Sequence, residues 1–124
     1  MSKDYVSKEL ARKLQEKGYP LKKVYRQDEA PLFYDLPQDH PDWSQCDAWY
    51  LPVIWDVLKW LREKHAIHIE ILLGRNGWYF EIIQYEYYEE EKEYDCKLKT
   101  ISVIYDSYEE TAIAGIEYVL DNLI

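Results

Sequence analysis

The chain has 124 residues, of which 48% are hydrophobic and 31% charged, a composition typical of one globular domain and not of a disordered segment. Its formal net charge is −9, and residues 27–124 carry 21 acidic against 7 basic residues. A body this acidic repels phosphate backbones and anionic lipid headgroups, which argues against nucleic acids and membranes as partners. The sequence predicts one domain over 1–124, divided into 1–18, 19–50 and 51–124.

The cysteines and the N-terminal segment indicate where the protein works. Cys46 and Cys96 lie far apart and form no Cys-x-x-Cys motif, a usage typical of reduced intracellular thiols. No apolar run is long enough to cross a bilayer, and residues 1–8 lack the apolar core of a signal peptide. We therefore expect a cytoplasmic location.

The first element is a helix over 7–17. Val6, Leu10 and Leu14 recur at helical spacing, Ser7 is suited to cap the start, and Gly18 is suited to end it. Residues 1–26 hold 8 basic against 3 acidic residues, so the polar face of this helix is basic. It either docks at the edge of the acidic body, the reading we favour, or serves as an arm for nucleic acid.

Residues 19–50 contain four of the five prolines and lack regular periodicity. Trp43, Trp49 and Tyr50 are too apolar to leave in water without cost, so the segment is not a flexible linker. We predict a long ordered loop that contains a short strand at 32–34.

The remaining residues have the order helix, strand, strand, strand, helix. The first helix starts near Pro52, a residue favoured at the first helical position, and the last starts at Ser107, which forms a capping box with Glu110. The strands between them are predicted at 67–73, 78–87 and 96–105, with a turn at 74–77, a hairpin tip at 89–95 and a bulge near Thr100.

This order predicts an α+β fold: a three-stranded antiparallel meander with two helices on one face, plus the N-terminal helix and the long ordered loop. The residues expected to share one core lie on facing stripes of the sheet and the helices. They are Ile54, Leu58, Leu61, Ile69, Ile71, Phe80, Ile82, Ile116, Leu120 and Leu123.

The same order is found in double-stranded-RNA-binding domains, and the run from Glu110 to Leu120 is similar in rhythm to their last helix. Those domains bind phosphates through lysines at the start of that helix. This chain has Tyr108, Glu109 and Glu110 there, and carboxylates repel phosphate. The resemblance therefore implies a shared topology without RNA binding.

No motif indicates catalysis or a cofactor. His40, Asp42, Cys46 and Asp47 cluster in the loop, but their spacing matches no zinc pattern and Asp-His-Pro-Asp is common in turns. Four glycines in total leave no phosphate-binding loop, and no nucleophile motif is present. We assign no catalytic, cofactor-binding or metal-ligating residue.

An acidic aromatic ribbon is expected between residues 85 and 94. Its candidate surface residues are Tyr85, Tyr87, Tyr88, Glu89, Glu90, Glu91 and Tyr94. One reading is a solvated hairpin tip whose tyrosines cover the sheet edge and whose acids deter aggregation. The other is an anionic, aromatic contact surface for a basic protein.

Three stretches resemble small uncharacterised proteins of bacterial phages, prophages and mobile elements. They are Lys59-Trp60-Leu61-Arg62-Glu63-Lys64-His65 with Ile67-His68-Ile69, Ser107-Tyr108-Glu109-Glu110-Thr111-Ala112 with the ending Tyr118 to Ile124, and Leu10 to Tyr19. The resemblance implies a cytoplasmic accessory protein and carries over no active residue.

Together these features favour a non-enzymatic protein-interaction or accessory module of phage or mobile-element origin, with a basic protein as the expected partner. The alternative is an acidic nucleic-acid mimic that occupies a host DNA-binding protein. An enzyme is the third reading. The sequence leaves homo-oligomerisation open.

Overall fold

The helices and strands begin and end close to the turn-forming residues of the sequence. The computed structural model describes residues 5–23, 32–34, 39–41 and 48–124, which form two compact units, Met1–Val53 and Ile54–Ile124. The elements are α1 (Lys8–Glu16), β1 (Leu32–Tyr34), β2 (Ala48–Tyr50), α2 (Ile54–His65), β3 (Ile67–Gly74), β4 (Gly77–Tyr88), β5 (Glu93–Ile101) and α3 (Tyr108–Asn122).

Helix α1, in the first unit, matches its predicted position. The Ser7 hydroxyl accepts a hydrogen bond from the Leu10 amide at 3.1 Å, which satisfies one of the free amides at the helix start. The predicted stripe of Val6, Leu10 and Leu14 is buried. Gly18 has a φ of +91°, a left-handed conformation that glycine adopts without steric cost, and it lies just past the end of the helix.

The predicted strand at Leu32–Tyr34 is confirmed, but its partner was not foreseen. Strand β1 pairs antiparallel with β2, Leu32 opposite Tyr50 and Tyr34 opposite Ala48. Residues 48–50 were assigned to an irregular loop because three residues are too few to show alternation. Their extended conformation depends on pairing with chain segments distant in sequence, including a backbone hydrogen bond from Tyr50 N–H to Lys22 O.

Helix α2 starts at Ile54, near the predicted position, although Pro52 itself lies two residues before the helix. Val53 forms an antiparallel bridge with Tyr5, and the Pro52 carbonyl accepts a hydrogen bond from the Val6 amide at 3.0 Å. These contacts hold the backbone extended up to Val53. The face of α2 predicted at helical spacing is Ile54, Val57, Leu58, Leu61 and His65; the four apolar residues are buried, and His65 is half-buried.

The second unit has the predicted α+β arrangement. Strands β3, β4 and β5 form an antiparallel sheet in that order, and α2 and α3 both contact the sheet and each other. Strands β3 and β4 are joined by the predicted turn, with Gly74 opposite Gly77. Of the ten predicted core residues, eight are buried and two, Ile71 and Leu123, are half-buried.

The predicted bulge lies in the right strand but at the wrong residue. Gln84 faces Leu98 and Tyr85 faces Cys96, so Lys97 is the extra residue, whereas Thr100 pairs regularly with Ile82. The prediction assumed that Ile101 must turn towards the core. Instead its side chain remains 61% exposed, and β5 ends there instead of continuing to 105.

Helix α3 begins with the predicted cap. The Ser107 hydroxyl accepts a hydrogen bond from the Glu110 amide at 3.1 Å, and the Thr111 hydroxyl donates one to the Ser107 carbonyl at 2.7 Å. Ala112, Ile116, Val119 and Leu120 are buried on one side of the helix. This side packs against the sheet and completes the core of the second unit.

Candidate functional site

Strands β4 and β5 extend past the end of β3 as a two-stranded ribbon, residues 85–96. The last pair between β3 and β4 is Ile67 with Gln84, whereas β4 continues to pair with β5 up to Tyr88 opposite Glu93. The bulge at Lys97 lies where the ribbon leaves the sheet. A bulge increases local twist, so it turns the ribbon relative to the three-stranded sheet.

One face of the ribbon is aromatic. The rings of Tyr85 and Tyr94 meet edge to face, with centroids 6.4 Å apart and planes at 85°. Tyr85 is 37% and Tyr94 66% exposed, although this contact buries part of both rings. The backbone of Tyr87 pairs with Tyr94, and the side chain of Tyr87 lies outside the described part of the structure.

The other face of the ribbon is acidic. Strand alternation puts Glu86, Tyr88, Glu93 and Asp95 on this face. The Tyr88 hydroxyl donates a hydrogen bond to Glu86 Oε2 at 3.3 Å, and the negative charge of Glu86 raises the pKa of Tyr88. Tyr88 is therefore separated from the aromatic face, where the rings of Tyr85 and Tyr94 pair.

The three consecutive glutamates form the tip of the ribbon. Glu89, Glu90 and Glu91 are exposed in a turn that ends at Lys92, whose φ is +54°. This turn covers 89–92 only, shorter than the predicted tip of 89–95, because residues 93–95 still pair with β4. Residues 85–96 carry six acidic side chains and one lysine, so the ribbon is strongly negative.

A cavity of about 460 Å³ opens at the base of the ribbon. It is lined by Arg62 and Glu63 from the last turn of α2, by residues 66–68 at the junction with β3, and by the ribbon tyrosines Tyr85 and Tyr94. The Tyr85 amide donates a hydrogen bond to the Ala66 carbonyl at 3.0 Å, which attaches the ribbon to this junction. The sequence does not predict this cavity, because the lining residues come from three separate segments.

His68 lies beside a carboxylate, an arrangement that can serve acid–base chemistry. Its Nε2 lies 2.6 Å from Glu70 Oε2, and His68 also lines the cavity. The pair is exposed to solvent, which screens the interaction and weakens it as a catalytic device. His65 contacts Trp60 edge-on at 4.8 Å, as expected for a histidine packed at the end of a helix.

The loop cluster considered for a metal is largely outside the described residues. His40 is exposed, whereas Asp42, Cys46 and Asp47 fall in an undescribed stretch. Within the described ranges, no three histidine, cysteine or acidic residues lie close enough to hold a metal ion. The Cys96 thiol is exposed and not in a disulfide.

An exposed apolar group lies at the other end of the sheet. Leu73 is 67% and Val103 72% exposed, and Ile104 packs over Gly77, where an added Cβ would lie 2.7 Å from Ile104 Cγ2. Val103 and Ile104 lie within the strand predicted at 96–105. Instead, the strand pairing with β4 is interrupted between two points: the hydrogen bond from Ser102 N–H to the Phe80 carbonyl, and the bridge between Tyr105 and Trp78. Val103 and Ile104 lie between these points, and their side chains are exposed.

The comparisons with known proteins do not assign the chain to a family. No protein-family model, curated protein or solved structure matches it. In the part of the chain that the structure describes, none of the helices combines the length and apolarity needed to span a membrane.

Proposed function

We propose that this protein is a non-enzymatic interaction module that binds a basic protein through the ribbon. The exposed aromatic and acidic faces of the ribbon support this proposal more than any other feature. Three of the exposed large apolar side chains, Tyr85, Tyr88 and Tyr94, belong to this ribbon. Tyrosine gives rigid contact area at low entropic cost, and the surrounding acids steer a cationic partner.

The ribbon favours an interaction module over a nucleic-acid mimic. A mimic needs carboxylates spread at phosphate spacing along one exposed face. Here the acids are concentrated at the tip, Glu89 to Glu91, and on one face of the ribbon, and the other face carries aromatic rings. A contact surface with both apolar and charged parts fits a folded protein partner.

The resemblance to phage and mobile-element proteins supports an accessory role in such an element, and the cysteine usage supports a cytoplasmic location. We infer that the protein is a cytoplasmic accessory factor of such an element. Its partner would then be a basic protein of the host or of the element itself.

The proposal is tested by capture of partners with a tagged chain, followed by binding measurements on the protein recovered. Replacement of Glu89, Glu90 and Glu91 by glutamine should slow association and flatten its salt dependence, because steering depends on long-range charge. Replacement of Tyr88 by serine should mainly speed dissociation, because it removes contact area.

A matched control removes three exposed acids elsewhere. The variant Glu9→Gln, Glu16→Gln, Glu117→Gln changes the net charge equally but leaves the ribbon intact. It should associate faster than the ribbon variant. Equal rates for the two variants, together with parental affinity for Tyr88→Ser, would reduce the ribbon to a solvated hairpin tip.

A further inference from the structure

The cavity at the base of the ribbon is placed to receive one side chain of whatever the ribbon binds. Its volume of about 460 Å³ lies within the range of about 300–1,000 Å³ usual for small-ligand sites. Two of its lining residues, Tyr85 and Tyr94, also form the aromatic face of the ribbon. A partner that covers this face therefore also covers the mouth of the cavity.

The charges around the cavity favour a cation. Glu63 lines it, and Glu70 contacts the lining residue His68 at 2.6 Å. The last turn of α2 also contributes the partial negative charge of a helix C-terminus. Among the described lining residues, Arg62 is the one with a fixed positive charge, and its side chain is exposed; Lys64 and His65 also lie in the last turn of α2 but do not line the cavity.

A carboxylate in this cavity would be repelled by more charges than attract it. It would gain one guanidinium, Arg62, but would lie beside Glu63 and close to the acidic strands of the ribbon. Glu63 and Arg62 are both exposed, so the repulsion from one roughly offsets the ion pair with the other, and the net negative charge of the ribbon adds a further repulsion. The charge pattern therefore selects against an anion.

The aromatic lining favours a guanidinium over an ammonium. The edge-to-face arrangement of Tyr85 and Tyr94 leaves ring surface at the cavity, and a planar guanidinium stacks on such rings. Its fork of donors can also bind the Glu63 carboxylate with two hydrogen bonds, in place of the single exposed contact of 4.0 Å that Glu63 Oε1 makes with Lys59 Nζ. An ammonium is more strongly hydrated, so it costs more free energy to remove from water. It also has no flat face to stack on the rings, so it gains less from the contact.

The cavity is held in shape before any ligand enters. The hydrogen bond from the Tyr85 amide to the Ala66 carbonyl connects the ribbon to the end of α2, and Ala66 has a left-handed φ of +54°. Ile67 is fully buried and fixes the base of the cavity to the core. A preformed site lowers the entropic cost of binding.

We propose that this cavity binds an arginine side chain of the basic partner, stacked on Tyr85 and Tyr94 and paired with Glu63. This inference rests on the proposed function, since it names the anchoring group that the ribbon's partner would insert. It adds a recognition site that includes residues of α2 outside the ribbon.

The test uses three blocked amino acids as probes: N-acetyl-arginine amide, the uncharged isostere N-acetyl-citrulline amide and N-acetyl-aspartate amide. Binding to the full chain is followed by NMR through the methyl groups of Ala66 and Ile67. The arginine probe should give saturable shifts, and the other two should give none. Equal shifts from citrulline, stronger shifts from aspartate or no shift from any probe would overturn the proposal.

Variants locate the site. Tyr94→Ala and Glu63→Gln should each weaken binding of the arginine probe by about two- to fivefold, as expected for loss of one exposed cation–π contact or one exposed ion pair. Tyr88→Ala is the matched control, because Tyr88 lies on the acidic face with Glu86. Equal loss in Tyr88→Ala, or none in the first two variants, would show that the probe binds elsewhere.

The probe experiment and the partner experiment can fail independently. If glutamine at 89–91 slows partner binding but the arginine probe does not bind, the interaction module stands and the arginine site is wrong. If the probe binds but ribbon variants leave partner binding unchanged, the cavity recognises guanidinium and the ribbon is not the partner surface.

Discussion

Gly115 of α3 lies directly against Ile69 of β3. A Cβ built on Gly115 would lie 3.0 Å from Ile69 Cγ2 and 3.4 Å from Phe80 Cγ. Glycine in a helix interior costs about 1 kcal/mol relative to alanine, so from the sequence alone Gly115 is expected to destabilise α3. The structure explains its presence: without a side chain at Gly115, α3 can pack closely against Ile69 and Phe80 of the sheet.

Replacement of Gly115 by valine should destabilise the protein by about 1–3 kcal/mol, because the added isopropyl group must displace Ile69 and Phe80. The measurement is the free energy of unfolding from chemical denaturation. Glu117→Val is the control, since it adds the same residue to the same helix at an exposed position. Helix propensity alone would make Gly115→Val slightly stabilising and Glu117→Val slightly destabilising. A loss at Gly115 no larger than the loss at Glu117 would therefore contradict the close packing.

Truncation in the core should be costly at Leu58 and at Ile116. Both are buried, at 3% and 0% exposure, and each Ala substitution should lower the free energy of unfolding by about 2–5 kcal/mol through lost burial and a residual cavity. Lys59→Ala, next to Leu58 on the exposed face, should change it by no more than about 0.5 kcal/mol. Losses below about 0.5 kcal/mol at both core positions would contradict the packing described.

Tyr108 should make the protein less stable in alkali. Burial of its ring against Trp55 and Trp78, followed by the charges of Glu109 and Glu70, raises the pKa of Tyr108 above the usual value of about 10. A folded-state pKa above the unfolded value contributes stability that is fully present below about pH 10 and is lost as pH rises through the folded value.

The check compares the parent with Tyr108→Phe in denaturant titrations from about pH 8 to 11, on either side of the ordinary tyrosine pKa. Phenylalanine keeps the ring but has no ionisable hydroxyl, so the stability of the variant should fall less steeply above about pH 10. Parallel curves for the two proteins would show that Tyr108 ionises equally in the folded and unfolded states.

Duplex DNA and RNA should not bind at physiological salt, because residues 27–124 carry 21 acidic and 7 basic side chains. Fluorescence anisotropy with labelled duplexes provides the measurement. Saturation below about 1 μM with the usual loss at higher salt would refute the prediction. Binding confined to very low salt and abolished by Lys8→Ala and Arg12→Ala would assign the residual affinity to the basic face of α1.

The local chemistry of the sequence determined the elements of this protein and most of its core. Helical and strand periodicities, the Ser7 and Ser107 caps and the turn at 74–77 act over a few residues, so α1, α2, α3 and the meander could be predicted. The Tyr and Glu alternation likewise located the ribbon, although the predicted tip of 89–95 extends beyond the turn at 89–92.

Only the tertiary structure decided features that depend on contacts between distant segments. The Val53–Tyr5 bridge delays the start of α2, and pairing with β4 places the bulge at Lys97. The hydrogen bond from Tyr85 to Ala66 connects the ribbon to the end of α2, and the cavity is lined by residues from both. These contacts depend on how the chain folds back on itself, which the period of a single segment does not encode.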